Sequence, residues 1–307
     1  VATPVTGCFD YLLPPNSLAV VGSVVMVPFG NRRLPGIVMG SGVGDVAMEK
    51  LRSLDEVAAL PPIPVSTIEF MKRCADWTLS PLGAIAKMIV SQPAAVAPPS
   101  LQKRFFLPET AVGNQRLTPA RHRVLALMAD GTRLTASEIS AGADVSYGVA
   151  AGMAAQGLLA VDYVAVEQLP AMPLYNMDGL ELTDSQAAAA ADLSRMIGEG
   201  FATTLLDGVT GSGKTEVYFE AVKTALQTNQ QVLILLPEIA LSAAWRNRFA
   251  ARFGVLPVEW HSDISTAQKR RAWRFTLAGA LSVVVGARSA LFLPFRNLGL
   301  IIVDEEH

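Results

Sequence analysis

Cysteine is nearly absent from this sequence of 307 residues: only Cys8 and Cys74 occur, far apart and in no CxxC pair. That spacing supplies neither a zinc site nor a disulfide framework, and it fits reduced thiols in a cytosolic protein. No apolar run approaches the roughly 18–20 residues of a membrane span, and no charged segment leads into a long apolar one as in a signal peptide. The first residue is Val1 and the chain stops abruptly at IIVDEEH, so a segment of a longer protein is expected. Charge is also scarce, at 17% of residues against 51% hydrophobic, which excludes disorder and allows two or three cored domains. An excess of positive charge is missing as well. Lys and Arg balance Asp and Glu at 13 to 13 over residues 1–170 and at 12 to 14 over the rest, for a net charge of −2. No global field therefore draws the chain onto nucleic acid, and any DNA contact has to come from local sites. Lys269, Arg270, Arg271 and Arg274 form one basic cluster, and Arg32 with Arg33 another. A solvated helix face and a turn are the competing readings.

What is present falls into three parts. Residues 1–97 begin with short strand-like runs, FDYLL, SVVMVPFG and RLPGIVMGSG, separated by Gly and Pro. Turn signals at that spacing predict a small β-rich domain. Apolar residues then recur at helical spacing (Ile68, Met71, Cys74, Ala75) until Pro81, which predicts one or two helices. A proline-rich linker is expected over 98–115. Within 116–170, Thr118 and Pro119 open a helix that Gly131 closes, and two short helices follow around a turn at Gly142. Three helices and then a Val-rich strand predict a winged helix, a fold that reads DNA in some proteins and only packs in others. The stretch expected as its second helix, Asp144–Gln156, has no Arg or Lys, which counts against major-groove reading. From 178 to 307, helix-like runs alternate with strand-like ones, TTLLDG, QVLILLP, LSVVVGA and LGLIIVD. Compact aliphatic runs between helices predict a parallel sheet covered on both faces, an α/β nucleotide-binding domain. The whole is expected to be a multidomain chain of β-rich, winged-helix and α/β parts.

The chemistry concentrates in this third part. Gly208-Val-Thr210-Gly211-Ser212-Gly213-Lys214-Thr215 satisfies GxxxxGK[ST], after an apolar run and before a helical pattern. Glycines let successive backbone N–H groups turn inward onto phosphate oxygens, and the following helix adds its N-terminal dipole. Lys214 is expected to neutralise the β- and γ-phosphates of ATP, and Thr215 to ligate Mg²⁺. About ninety residues on, Asp304 ends a strand-like run where open α/β sheets bind ligands, placed to hold the same Mg²⁺. Glu305 then stands next to it as the residue that polarises the attacking water. Alone, DEEH also reads as a surface acidic turn.

A P-loop followed by DExH is the motif pattern of superfamily-2 helicases. Together with LLPEIALS, HSDIS, VVVGARSALFLPFRNLGLIIVDEEH and FDYLLP…VPFG, it makes the chain resemble the primosomal protein N′ (PriA) family of replication-restart helicases from Phe9 to His307. The resemblance implies a bacterial, cytoplasmic and nucleoid-associated 3′→5′ DNA helicase. Such an enzyme binds stalled forks, D-loops and single-stranded DNA, and starts primosome assembly. Single-strand-binding protein, primosome proteins and the replicative helicase loader are its implied partners. It also implies that Phe9, Asp10, Tyr11, Gly30 and Arg52 hold a 3′ DNA end, with Asp10 accepting hydrogen bonds from the terminal base and Tyr11 or Phe9 stacking on it. Core packing for the two aromatics, and a turn cap for Asp10, are the alternatives. Gln186 matches the family's adenine-sensing glutamine, its carboxamide meeting both a donor and an acceptor; an exposed helix residue is the other reading. Pro237–Ser242 and Gly286–Ala290 resemble the motifs that touch the single-strand backbone, with Arg288 on a phosphate or in an ion pair. No chemistry is assigned to His261.

Two positions depart from the family pattern: Ala287 and Ser242 stand where Thr is usual. The second motor lobe with its arginine finger, a cysteine-rich Zn²⁺ module and a C-terminal domain are expected beyond His307, and no zinc site within this segment. The segment alone is expected to bind nucleotide weakly with negligible turnover. The rival reading is a 3′-end DNA-binding module that binds nucleotide without helicase turnover.

Overall fold

The computed structural model describes residues 1–307 except 43, 45, 97–100, 109–116, 166–168, 178, 210, 238–240 and 305–307. The chain divides into two compact units, one formed by 1–98 with 169–307 and the other by 99–168.

The first unit opens with β1 (Tyr11–Leu12), β2 (Val24–Phe29) and β3 (Arg32–Ile37). β2 and β3 form an antiparallel hairpin closed by Gly30 and Asn31, with Phe29 opposite Arg32. A two-residue hairpin turn needs positive φ at its centre, and Gly30 supplies it at 58°. After a 3₁₀ turn at Met48–Lys50, β4 (Arg52–Ser53) pairs parallel with β1, and β5 (Glu56–Val57) adds to the free side of β2. The alternation of β2 divides its side chains between two clusters, Val24 in one and Val25 and Val27 in the other. α1 (Val65–Thr78) and α2 (Leu82–Ile89) follow. The helical pattern breaks where expected: Leu79 turns left-handed, and Pro81, which offers no amide to a continuing helix, becomes the N-cap of α2. A short α3 (Pro93–Val96) ends this part.

The second unit contains β6 (Leu101–Phe106), α4 (Pro119–Leu127), α5 (Ala136–Ala143), α6 (Gly148–Ala155) and β7 (Ala160–Ala165). β6 lies inside the span expected as linker. It pairs antiparallel with β7 from Leu101 opposite Ala165 to Phe106 opposite Ala160, and turns Phe105 into a core with Val124, Met128, Ile139 and Met153. The turn expected at Gly142 falls instead after Asp144, which is itself left-handed, while Gly142 sits inside α5. A Cβ on Gly142 would come within 2.9 Å of Leu127, so the glycine serves close helix packing. Arg123 of α4 donates to the carbonyls of Ala143 and Asp144, each at 2.8 Å, and so caps α5.

The chain then returns to the first unit through α7 (Asp184–Met196), α8 (Lys214–Gln227), β8 (Gln231–Leu235), α9 (Ala243–Phe253), β9 (Val258–Trp260), α10 (Thr266–Ala278), β10 (Val283–Gly286), a 3₁₀ helix at Arg288–Phe292 and β11 (Leu298–Val303). The four strands are parallel in the order β11-β8-β10-β9. Val232, Ile234, Val283 and Val285 face a cluster with Phe219, Trp245, Phe249 and Phe253, whereas Leu233, Leu235 and Val284 face the opposite side. Both faces are thus covered, as the unbroken aliphatic runs require. The run TTLLDG differs: it forms no strand, and Leu205 within it and Phe201 just before it are 89% and 98% exposed. A strand exists only with a hydrogen-bonded neighbour, and among the described residues this run has none. β11 is the edge of the sheet, with Ile301 and Val303 about half exposed.

The cluster on that opposite face is not confined to the α/β part. Ile68, Met71, Ile85 and Ile89 of α1 and α2 share it with Trp273 and Leu277 of α10. The fully buried Trp273 indole donates to the Ile89 carbonyl at 2.7 Å, and Arg274 to the Ala95 carbonyl at 3.1 Å. Phe70 of α1 lies against Phe292 of the second 3₁₀ helix, ring centroids 5.6 Å apart.

Candidate nucleotide cleft and strand-end pocket

α8 begins at Lys214 with Gly213 as a left-handed N-cap (φ 83°), and Gly211 is left-handed too (φ 80°). These two positions give the loop the curvature that aims amides inward, a conformation costly for other residues. Gly208 is closed in by the loop itself, because a Cβ there would lie 2.7 Å from the Ser212 hydroxyl. Lys214 folds back over the loop and donates to the carbonyls of Gly208 and Val209. Its ammonium therefore lies against the carbonyls of the loop itself. Thr210 lies outside the described residues.

Gln186 belongs to this loop rather than to an exposed helix face. Thr183 and Gln186 form a reciprocal capping box at the start of α7, with the Thr183 amide donating to Gln186 Oε1 at 2.9 Å. The other end of the carboxamide donates to the Ser212 carbonyl at 2.8 Å. A Cβ on Gly213 would stand 2.5 Å from that Nε2, so the approach of Gln186 requires glycine at 213. One N–H and one lone pair of the carboxamide stay uncommitted by these bonds, which suits a purine edge but halves the capacity expected of it.

Asp304 follows β11, its amide donating to the Leu235 carbonyl at 3.0 Å, so it sits beside the carboxyl end of β8. Glu305 lies outside the described residues, as do Glu238–Ala240 within Pro237–Ser242. The residue that sequence reasoning missed is Tyr218, one helical turn after Thr215. It is 5% exposed, and its hydroxyl accepts from Trp245 Nε1 at 3.0 Å. Burial, and then the Asp304 carboxylate, push its phenol well above the ordinary tyrosine value, so it remains a donor. The signal was in the spacing, since positions i and i+3 share a helix face. Among the described residues no three Asp, Glu, His or Cys side chains converge on a metal site. The set Thr215 and Asp304 nevertheless fits Mg²⁺, which takes one or two protein oxygens and fills its shell with phosphate and water.

Arg288 is exposed at the start of the second 3₁₀ helix and has no ion pair among the described residues. In the basic cluster, Lys269 donates to the Ser262 carbonyl and Arg274 to Ala95, while Arg33 pairs with Asp55 at 2.9 Å. His261 donates to Glu259 and accepts from the Asp263 amide, both nitrogens thus held by neighbours.

Of the predicted strand-end residues, Tyr11, Gly30 and Arg52 come together although they are distant in sequence. The β1–β4 pairing sets Tyr11 opposite Arg52, and Arg52 reaches the Gly30 carbonyl at 3.4 Å. Tyr11 donates to the Pro28 carbonyl at 3.2 Å, and burial raises its pKa while Arg52 opposes the shift. Phe9 stands edge-on to Phe29, centroids 5.2 Å apart, yet keeps 43% of its surface exposed. Asp10 is half-buried against Gly42.

Two family models match these two places. Residues 1–91 match a 3′ DNA-binding domain defined in PriA, and 183–307 match a DEAD/DEAH box helicase domain. Replication restart protein PriA of Rickettsia felis is 33% identical across 97% of this chain, and that of Haemophilus influenzae 30% identical across all of it. The chain belongs to the PriA family. A PriA from Synechocystis is 50% identical over a shorter stretch, 36% of this chain. The chain spans 35% of the Rickettsia felis protein and 43% of the Haemophilus influenzae PriA, and corresponds to the N-terminal portion of the family. A helicase domain of this type uses a nucleotide, and no described helix is long and apolar enough to cross a membrane.

Proposed function

We propose that the chain is the strand-end and nucleotide-binding part of an ATP-dependent 3′→5′ DNA helicase that acts at stalled forks and D-loops and starts primosome assembly. One observation carries this reading: the cluster of Tyr11, Gly30 and Arg52, beside Asp10 in the chain, and the P-loop cleft are built on parts that share one hydrophobic core. The helicase match over 183–307 favours a motor part over a binding module alone. The β-rich domain of 1–97 takes the 3′ end, 178–307 is the first RecA-like lobe, and 116–170 is a winged helix that meets DNA or protein. Primosome proteins, single-strand-binding protein and the helicase loader follow as partners from the family reading.

In the cleft, the amides of Gly211–Gly213 and the Lys214 ammonium hold the β- and γ-phosphates, with the α8 dipole adding to their attraction. Thr215 and Asp304 hold Mg²⁺, which when bound neutralises charge that develops on the transferred phosphoryl group. Gln186 turns its remaining donor and acceptor to adenine, and Glu305 orients water. In the pocket, Asp10 accepts from the terminal nucleotide while Phe9 offers its exposed face for stacking.

Fluorescence anisotropy with branched DNA bearing a free or a phosphate-blocked 3′ end tests the reading. Asp10→Ala is expected to abolish the preference for the free end, a loss of roughly tenfold for one hydrogen bond to a charged group, with binding to the blocked end kept. Equal weakening on both substrates, with a steep salt dependence, means phosphate contacts only and refutes the pocket.

A further inference from the structure

Before α7 the chain passes through residues 170–177 as neither helix nor strand, yet it is held at several points. The Leu174 amide donates to the Phe253 carbonyl at 2.8 Å. Gly254 follows, left-handed at φ 71°, and a Cβ there would stand 2.9 Å from Leu174 Cδ1 and 3.2 Å from the Met177 sulfur. The main hold is Arg252 of α9, whose side chain is 3% exposed. A guanidinium buried so deeply persists only where partners satisfy it. One of its nitrogens donates to the Met177 carbonyl and another to Glu220 of α8 at 2.8 Å, and the group lies 5.4 Å from the Phe253 ring centroid. Gly179 packs on that pair: a Cβ there would come 3.0 Å from Arg252 Nε and 3.3 Å from Glu220 Oε1. The Thr183 cap of α7 stands four residues after Gly179, a reach of at most about 14 Å. α7 therefore starts from a point fixed to α8, the helix that begins at the P-loop Lys214.

We propose that Arg252 is a positioning residue of the nucleotide cleft: by clamping the strap before α7 onto α8, it sets where Gln186 meets the P-loop. The α7 region is fixed to α8 and its loop twice, through Gln186 on the Ser212 carbonyl and through Arg252 on Met177 and Glu220. The phosphates draw on the loop amides and Lys214, which the strap does not touch. The base draws on Gln186, whose seat the strap governs. This inference rests on the adenine reading of Gln186 above.

Titration calorimetry of ADP and GDP, on this chain and on Arg252→Met, tests it, because the two ligands differ only in the base edge. Methionine keeps apolar bulk against Phe253, and Glu220, itself partly exposed, retains Lys223 at 3.8 Å, so no charge is stranded in the core. The expected result is ADP binding about tenfold weaker, the loss of one or two hydrogen bonds, with GDP affinity within twofold of the parent. Equal weakening of both ligands marks a merely structural role and overturns the proposal, as does no weakening of either. Leu174→Pro removes the amide bonded to the Phe253 carbonyl and leaves α8 and α9 as they are. It is expected to lose about threefold of the preference for ADP and decides the matter if Arg252→Met does not fold; an unaltered preference in it overturns the proposal. If the parent chain does not prefer ADP to GDP, the adenine reading of Gln186 itself fails, which is a separate outcome from a failure of Arg252.

Discussion

Gln231 starts β8 with 3% of its surface exposed and uses its whole carboxamide. It donates to the Leu281 carbonyl at 2.7 Å and the Thr276 carbonyl at 3.3 Å, and accepts from the amides of Arg296 at 2.7 Å and Asn297 at 2.9 Å. One side chain thus ties β8 to the end of α10, the approach to β10 and the approach to β11. In Gln231→Leu, the buried Leu281 carbonyl loses its partner, at about 1–3 kcal/mol. The Thr276 carbonyl still accepts from Gly279, and the exposed Arg296 and Asn297 amides reach water at roughly 0.5–1 kcal/mol each. The sum is about 3 kcal/mol, or about 6–12 °C in midpoint for a unit of this size. Gln231→Glu has the same shape but aims a second oxygen at two carbonyls, and burying that charge costs about 3–5 kcal/mol. Its folded pKa is therefore raised, so the deficit opens as pH rises above the ordinary glutamate value and closes in acid, where the protonated carboxyl again donates to Leu281. Urea unfolding at neutral and mildly acidic pH reads both effects. A Leu variant within 1 kcal/mol of the parent, or a Glu variant whose deficit ignores pH, refutes the reasoning.

Two further outcomes are expected. Gly213→Ala forces a side chain into a left-handed backbone, at about 1–2 kcal/mol, and against Gln186; ADP affinity measured by calorimetry should fall about tenfold or more, and a change within twofold counts against this account of the loop. Ile301→Lys places a charge on the exposed edge strand β11, and sedimentation at rising concentration should show less self-association than the parent; equal association in both means that the edge is not the contact.

The local features of the cleft were legible because short-range chemistry writes them. Thr183-x-x-Gln186 is a capping signature, and the loop glycines stand where positive φ is required. Gly142 was misread because close approach and left-handed turning both demand glycine, and sequence does not distinguish them. β6 was missed because its partner β7 lies some sixty residues away and pairing leaves no local mark. The gathering of Tyr11, Gly30 and Arg52 came from family resemblance, since their meeting depends on the β1–β4 register. The apolar faces of α1, α2 and α10 announced that something covers them, without saying that they cover one another.

That mutual cover has a consequence for how the chain folds. The Ile89 carbonyl waits for an indole 184 residues further on, and Ala95 for a guanidinium 179 residues on. At a synthesis rate of about 5–20 residues per second, the wait is roughly 10–40 s. Throughout it the nascent β-rich domain has its hairpin and helices but not the surface that buries them. Contacts of such long sequence separation are slow to form. The β-rich part is thus completed only when α10 arrives.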